Sequence, residues 1–167
     1  MPRKTSAKKH IASTSSAPPS TIDLIRALYE SAARTRALSY SPYSGQKVGA
    51  AIRTRSGRVY GGCNVENSSF GATVCAERVA IQSAIAAEGH IQIEEILVIT
   101  NATPPWPPCG MCRQVIAEFA PGTVIVHAAN LKGEIESKTL DRIFPEAFTP
   151  AHMDKASTKK TPNKRKK

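Results

Sequence analysis

The sequence predicts an α/β fold built on a mixed five-stranded sheet with helices on its faces. Three observations carry that expectation. Apolar residues recur at helical spacing in some segments and alternate in others, in the order α-β-β-α-β-α-β-β-α. The two central helices both begin at cysteines, and no internal repeat divides the chain. At 167 residues the chain has room for one compact domain with a real core, but is short for two.

Ser20 or Thr21 caps a first helix, in which Ile22, Ile25, Leu28, Tyr29 and Ala32 recur at helical spacing to about Leu38. Ser41, Pro42, Ser44 and Gly45 break it. Val48, Ala50 and Ile52 alternate, Ser56-Gly57 turns the chain, and Val59, Gly61, Cys63 and Val65 alternate again, so the segment reads as a hairpin. Its second strand runs into the polar loop N-V-E-N-S-S. A helix from Cys75 to Glu88 stops at Gly89. Ile96 to Thr100 is short, apolar and β-branched, the signature of a buried strand. The run T-P-P-W-P-P that follows excludes regular structure, because proline lacks a donor and restricts its neighbour. A second cysteine-headed helix spans Cys109 to Phe119. Strands at Val124 to His127 and Glu134 to Lys138 flank a turn at Asn130 to Gly133, and a short helix from Leu140 leads into F-P-E-A-F.

The formal net charge of +10 raises a nucleic-acid or membrane partner, but the charge is confined to the ends. Residues 1–20 contain Arg3, Lys4, Lys8 and Lys9, and residues 154–167 hold seven basic residues against Asp154, leaving residues 21–153 with twelve basic and twelve acidic groups. Both ends are poor in large apolar residues and are expected to be disordered basic tails. No run approaches the roughly 18 apolar residues of a membrane span, which points to an intracellular, soluble protein. The basic, Ser-rich, acid-free start leaves an organelle transit peptide open. Four cysteines in such a chain, two of them spaced C-x-x-C, favour metal or redox chemistry over disulfides.

Three cysteines stand where loops meet helix N-termini: Cys75 in C-A-E-R, and Cys109 and Cys112 in P-C-G-M-C-R. Thiolates are good Zn²⁺ ligands, and C-x-x-C at a first helical turn lets both sulfurs face one ion. The helix N-terminus favours their negative charge. Arg78 and Arg113 follow directly, and either is placed to donate to a sulfur. Three ligands leave a zinc site open and catalytic, whereas a fourth would close it. Cys63 is the residue that decides, and its step with Val59 and Val65 in a strand assigns it to packing. A thioredoxin-like redox pair would explain neither Cys75 nor Glu77. His10, His90, His127 and His152 lack ligand spacing.

The motifs Y-S-P-Y-S, V-G-A-A, G-C-N-V-E-N, C-A-E-R, P-C-G-M-C-R-Q-V and F-P-E-A-F occur in order across residues 22–150. This chain thereby resembles the small, homotetrameric, zinc-dependent cytidine deaminases. The resemblance implies their three-layer α-β-α sandwich, with residues 21–153 as the catalytic domain and residues 1–20 and 154–167 as tails. It implies a general acid/base at Glu77, which takes a proton from water at the metal, delivers it to N3 of the pyrimidine, and later protonates the leaving ammonia. It implies contact of the Ala76 backbone with the base, of Asn64 and Glu66 with the ribose hydroxyls, and of Phe148 with a neighbouring subunit's site. A carboxylate at Glu66 disfavours phosphate, which points to a free nucleoside as substrate. One position departs from the pattern: Gln46 stands where similar enzymes carry an aromatic that stacks on the base, leaving Phe70, Trp106 or Phe148 to supply apolar surface.

The implied activity is hydrolytic deamination of cytidine and deoxycytidine in cytoplasmic pyrimidine salvage. Two other readings compete with it. One keeps the zinc chemistry for a nucleoside antibiotic or a cytosine in RNA, with nucleic acid held through the basic tails. The other is a non-catalytic binding module that keeps a zinc fold, against which Glu77 argues.

Overall fold

A computed structural model describes residues 20–157. The tails expected at both ends therefore lie, except for Ser20 and residues 154–157, outside the described residues. Helix α1 spans Thr21–Ala37 and its cap is Ser20, which forms a reciprocal capping box with Asp23. Strands β1 (Gly49–Thr54), β2 (Val59–Cys63), β3 (Ile93–Thr100), β4 (Ile125–Asn130) and β5 (Ile135–Thr139) form one sheet of order β2-β1-β3-β4-β5. Only β3 and β4 pair in parallel, and helix α3 (Gly110–Phe119) lies in the crossover between them. Helix α2 (Ala76–Glu88) connects β2 to β3, the short α4 (Leu140–Ile143) follows β5, and α5 (Pro150–Ser157) closes the described chain.

The sheet is covered on both faces. Ala50, Ile52, Ile96, Val98, Val126 and Ala128 pack with α2 and α3, while Ala51, Leu97, Ile99 and Ala129 pack with Leu28 and Ala32 of α1. This is the expected α-β-α sandwich. Cover from both sides also explains why β1 is buried on both faces. Strand β3 begins three residues earlier than the run Ile96 to Thr100 suggests, because Glu94 and Glu95 are accommodated by partners across the sheet. Arg53 contacts Glu94 at 2.6 Å and Glu95 at 3.3 Å; Glu95 bonds His127 Nε2 at 2.9 Å, and His127 Nδ1 meets Ser137 Oγ at 2.7 Å. A polar row thus crosses β1, β3, β4 and β5 on the α1 face. His127 is buried within it as a strand histidine.

Two departures concern the end of the chain and its second strand. Helix α5 carries regular structure four residues past the boundary expected at residue 153, starting at a proline whose missing N–H costs nothing there. Strand β2 ends at Cys63, and Val65 makes only isolated bridges to Tyr40 and Val74. These bridges turn the chain back toward the α2 N-terminus. There the two elements nearly touch: a Cβ on Gly62 would meet the Ala76 carbonyl oxygen at 2.5 Å and the Val79 carbonyl carbon at 2.9 Å.

Candidate metal centre and active site

Cys75 and Cys109 are the N-caps of α2 and α3, and neither sulfur makes a capping hydrogen bond. Both are therefore free to face an ion, with Cys112 buried one turn into α3. The three sulfurs lie within 4.8 Å of one another, and Cys75 and Cys109 are 3.9 Å apart. Tetrahedral zinc with bonds of about 2.3 Å holds its sulfurs about 3.8 Å apart, so this donor set fits Zn²⁺. Cys63 is not part of the cluster, and three ligands leave the fourth coordination position to water or substrate. Accordingly, Cys63→Ser is expected to retain one zinc per chain, and X-ray absorption should count three sulfurs per zinc. Four sulfurs, or metal loss in Cys63→Ser, would describe a closed site instead.

Burial governs the electrostatics. Hydrogen bonding from the Cys112 thiol, with smaller help from Arg78 and Cys109, holds the Cys75 thiol well below its ordinary range against the effect of burial. The same contact, together with burial, pushes Cys112 up. Arg78 also ties the preceding loop by donating to the Thr73 carbonyl at 2.7 Å. Arg113 does not serve a sulfur as its position suggested: it donates to the carbonyls of Pro108 at 2.7 Å and Ile143 at 2.6 Å, fixing the loop that carries Cys109. Glu77 is 3% exposed on the first turn of α2. Burial, reinforced by the charge of Cys75, raises its carboxyl to about 7, so it takes up and releases a proton near neutrality.

A cavity of about 190 Å³ opens onto Cys75, Cys109, Ala76 and Glu77. Its other walls are Val48 and Asn64, Val98 and Thr100 of β3, and Trp106 with Pro107. Thr73 lines this cavity and also a neighbouring groove formed by Tyr43, Ser44, Glu66 and Phe70, so the two adjoin. Asn64 is buried, with its amide oxygen accepting from the Val48 N–H at 2.8 Å and the Ser39 hydroxyl, and its Nδ2 donating to the Gln46 carbonyl at 2.8 Å. One amide N–H remains for a ligand. Glu66 accepts from the backbone N–H groups of Tyr43 at 2.8 Å and Ser44 at 3.2 Å and from the Ser44 hydroxyl. That hydroxyl chiefly, with the two amides, holds its carboxyl below the ordinary carboxylate range.

Phe148 stands outside the cavity of its own chain. It is 57% exposed, stacks on His152 at 5.4 Å, and belongs to neither core cluster. Gln46 is exposed and likewise does not line the cavity. Thr73, Val98 and Thr100 escaped the sequence reading, since only strand register and the bridge at Val74 place them there.

Residues 23–128 match the family model described as the cytidine and deoxycytidylate deaminase zinc-binding region. The chain belongs to that family. It is 41% identical over 124 residues to a cytidine deaminase of Sporosarcina psychrophila, covering 74% of this chain and 90% of the relative. It is 42% identical over 127 residues to the cytidine deaminase of Halalkalibacterium halodurans, covering 76% and 96%. The crystal structure of cytidine deaminase from Burkholderia pseudomallei superposes with a TM-score of 0.70 at 42% identity, covering 74% of this chain and 98% of that one. The family's zinc-binding region includes all three cysteines of the cluster and Glu77.

Proposed function

We propose that this chain is a zinc-dependent enzyme that hydrolytically deaminates cytidine and deoxycytidine to uridine and deoxyuridine, releasing ammonia. The observation that carries the reading is Glu77: a buried carboxyl poised near neutrality beside three zinc-fitting sulfurs, in a cavity with room for one ring. Zinc bound by Cys75, Cys109 and Cys112 supplies Lewis-acid activation of water. Glu77 receives the proton of the attacking water and passes it to N3 of the pyrimidine; it then takes the proton of the hydroxyl newly attached to C4, which becomes the carbonyl, and gives it to the departing amino nitrogen. The Ala76 backbone orients the base. The free amide N–H of Asn64 and the ionised Glu66 in the adjoining groove suit the sugar hydroxyls, and the carboxylate repels a 5′-phosphate. Arg78 drains charge from the Cys75 sulfur.

Purified protein loaded with zinc should release ammonia from cytidine, lose that activity to a chelator and regain it with zinc. A zinc-loaded protein inert toward cytidine and deoxycytidine would overturn the reading.

We also assign the enzyme to pyrimidine salvage in the cytoplasm and to a homotetramer. Among the described residues no helix is long and apolar enough to cross a membrane. Residues 21–153 are electrically balanced, so any nucleic-acid contact is assigned to the basic tails. Support for shared sites comes from Phe148, which lies in neither core cluster of its own chain and is more than half exposed beside His152, so that a face is available to a neighbour's base. Phe148→Ala is expected to raise KM for cytidine by at least about fivefold, the lower end of stacking energies, with little change in Tm. A fully active monomer, or a variant that melts earlier but keeps its KM, would sink the shared site.

A further inference from the structure

We infer that Trp106 is the aromatic wall against which the pyrimidine lies, replacing in this chain the stacking surface that Gln46 does not provide. The inference rests on the reading of the cavity as a pyrimidine nucleoside site. Among the described residues that line that cavity, Trp106 is the only aromatic one. The cavity, at about 190 Å³, is smaller than the ~300–1,000 Å³ of pockets for drug-sized ligands and several times the ~30 Å³ of a water. It suits a single ring, for which one aromatic face is a complete wall.

The chain presents this indole deliberately in the physical sense that nothing else explains its place. Trp106 belongs to neither core cluster and is 48% exposed, so it contributes little to packing. The loop beneath it is nevertheless firmly held. Pro105 and Pro108 are buried on either side of it, and the Arg113 guanidinium grips the Pro108 carbonyl at 2.7 Å. At the other end, Asn130 Nδ2 donates to the Ala102 carbonyl at 3.2 Å and to Thr103 Oγ1 at 3.2 Å. Prolines on both sides restrict the backbone of the loop. An apolar ring carried on a held loop thus lines the same cavity as Glu77 and Cys109 while half exposed to water. A stacked base would cover it.

The chain contains a single tryptophan, so its fluorescence reports on this site alone. Titrating the zinc-loaded protein with uridine, which is not turned over, should change the tryptophan emission saturably, with a midpoint equal to the inhibition constant of uridine against cytidine turnover. In steady state, Trp106→Ala should raise KM for cytidine by about 5- to 100-fold, the range of base stacking, with kcat within about threefold, and Trp106→Phe should recover most of the loss. Uridine that inhibits turnover while leaving the emission unchanged, or a Trp106→Ala variant with unaltered KM, would overturn the inference and leave the deaminase reading intact. Absence of both turnover and uridine binding in the wild-type protein would instead remove the deaminase reading, and the inference with it.

Discussion

Glu77→Gln is expected to lower kcat by about 10²- to 10⁴-fold, the worth of one positioned acid/base group, while leaving fold and metal in place. The substitution keeps the shape of a side chain that is 3% exposed, and an amide is no more costly to bury than a carboxyl that is neutral half the time near pH 7. Zinc should stay, because its fit rests on three sulfurs and not on this residue. What disappears is the site at which a proton can be stored between its removal from water and its delivery to the pyrimidine. Zinc content, a thermal melt and cytidine turnover measured on one preparation separate these quantities. Activity within tenfold of the parent would remove Glu77 from the proton path.

Gly62→Ala should produce a large loss although it touches no functional side chain. The added methyl would collide with the Ala80 amide nitrogen and the carbonyl groups of Ala76 and Val79, all backbone of α2, so relief requires moving the helix itself. Forced overpacking costs about 1–3 kcal/mol and occasionally more; with three main-chain atoms of one helix in the way, about 3 kcal/mol is expected, which lowers Tm by roughly 6–12 °C in a domain of this size. Because Ala76 and Glu77 sit on the displaced turn and Cys75 caps it, kcat and zinc affinity should fall as well, at temperatures where the variant is still folded. The neighbouring Gly61→Ala is the control. Its methyl would meet Thr35 Cγ2 at 2.7 Å and Ser31 Oγ at 2.9 Å, side-chain atoms on α1 that can shift, and α1 carries no metal ligand. Equal losses for the two substitutions would show that the α2 contact is not what matters.

The parts of the site that the sequence made legible are those built from neighbours in the chain. C-x-x-C at a helix start and C-A-E at another place two sulfurs, or a sulfur and a carboxyl, on one helical turn without reference to the rest of the fold. Element order and type were legible for a similar reason, since a period of two or 3.6 is a local property. Distant partnership was not. The N-terminal end of β3 was hidden by Glu94 and Glu95, which look like loop residues until Arg53 and His127 are opposite them. Arg113 follows a ligand cysteine as Arg78 does, yet bends to two carbonyls, one of them 30 residues away. Glu66 was read with Asn64, yet it lines the groove beside the cavity and not the cavity itself, because its carboxylate is held by the Tyr43–Ser44 turn. That α5 runs on to Ser157 was hidden by composition, a stretch of small and charged residues with no apolar stripe.

The polar row across the α1 face acts as a ruler for the sheet. Side chains in a strand alternate between faces, so sliding β4 along β3 by one residue would turn His127 toward the apolar core shared with α2 and α3, away from both Glu95 and Ser137, and leave Glu95 to Arg53 alone. Burying an imidazole without its hydrogen-bond partners costs about 1–3 kcal/mol, a large share of the stability of a domain, which disfavours the shifted alignment. The alignment most in need of such a safeguard is β3 against β4, a parallel pair whose strands are joined only through the proline-rich loop and α3. Cys109 and Cys112 travel in that connection. A single-residue error there would carry them about 3.3 Å along the sheet relative to Cys75, nearly the 3.9 Å that now separates Cys75 from Cys109. Four polar side chains on one face thereby keep the distances between three sulfurs on the other, and the zinc site inherits its accuracy from a part of the molecule it never touches.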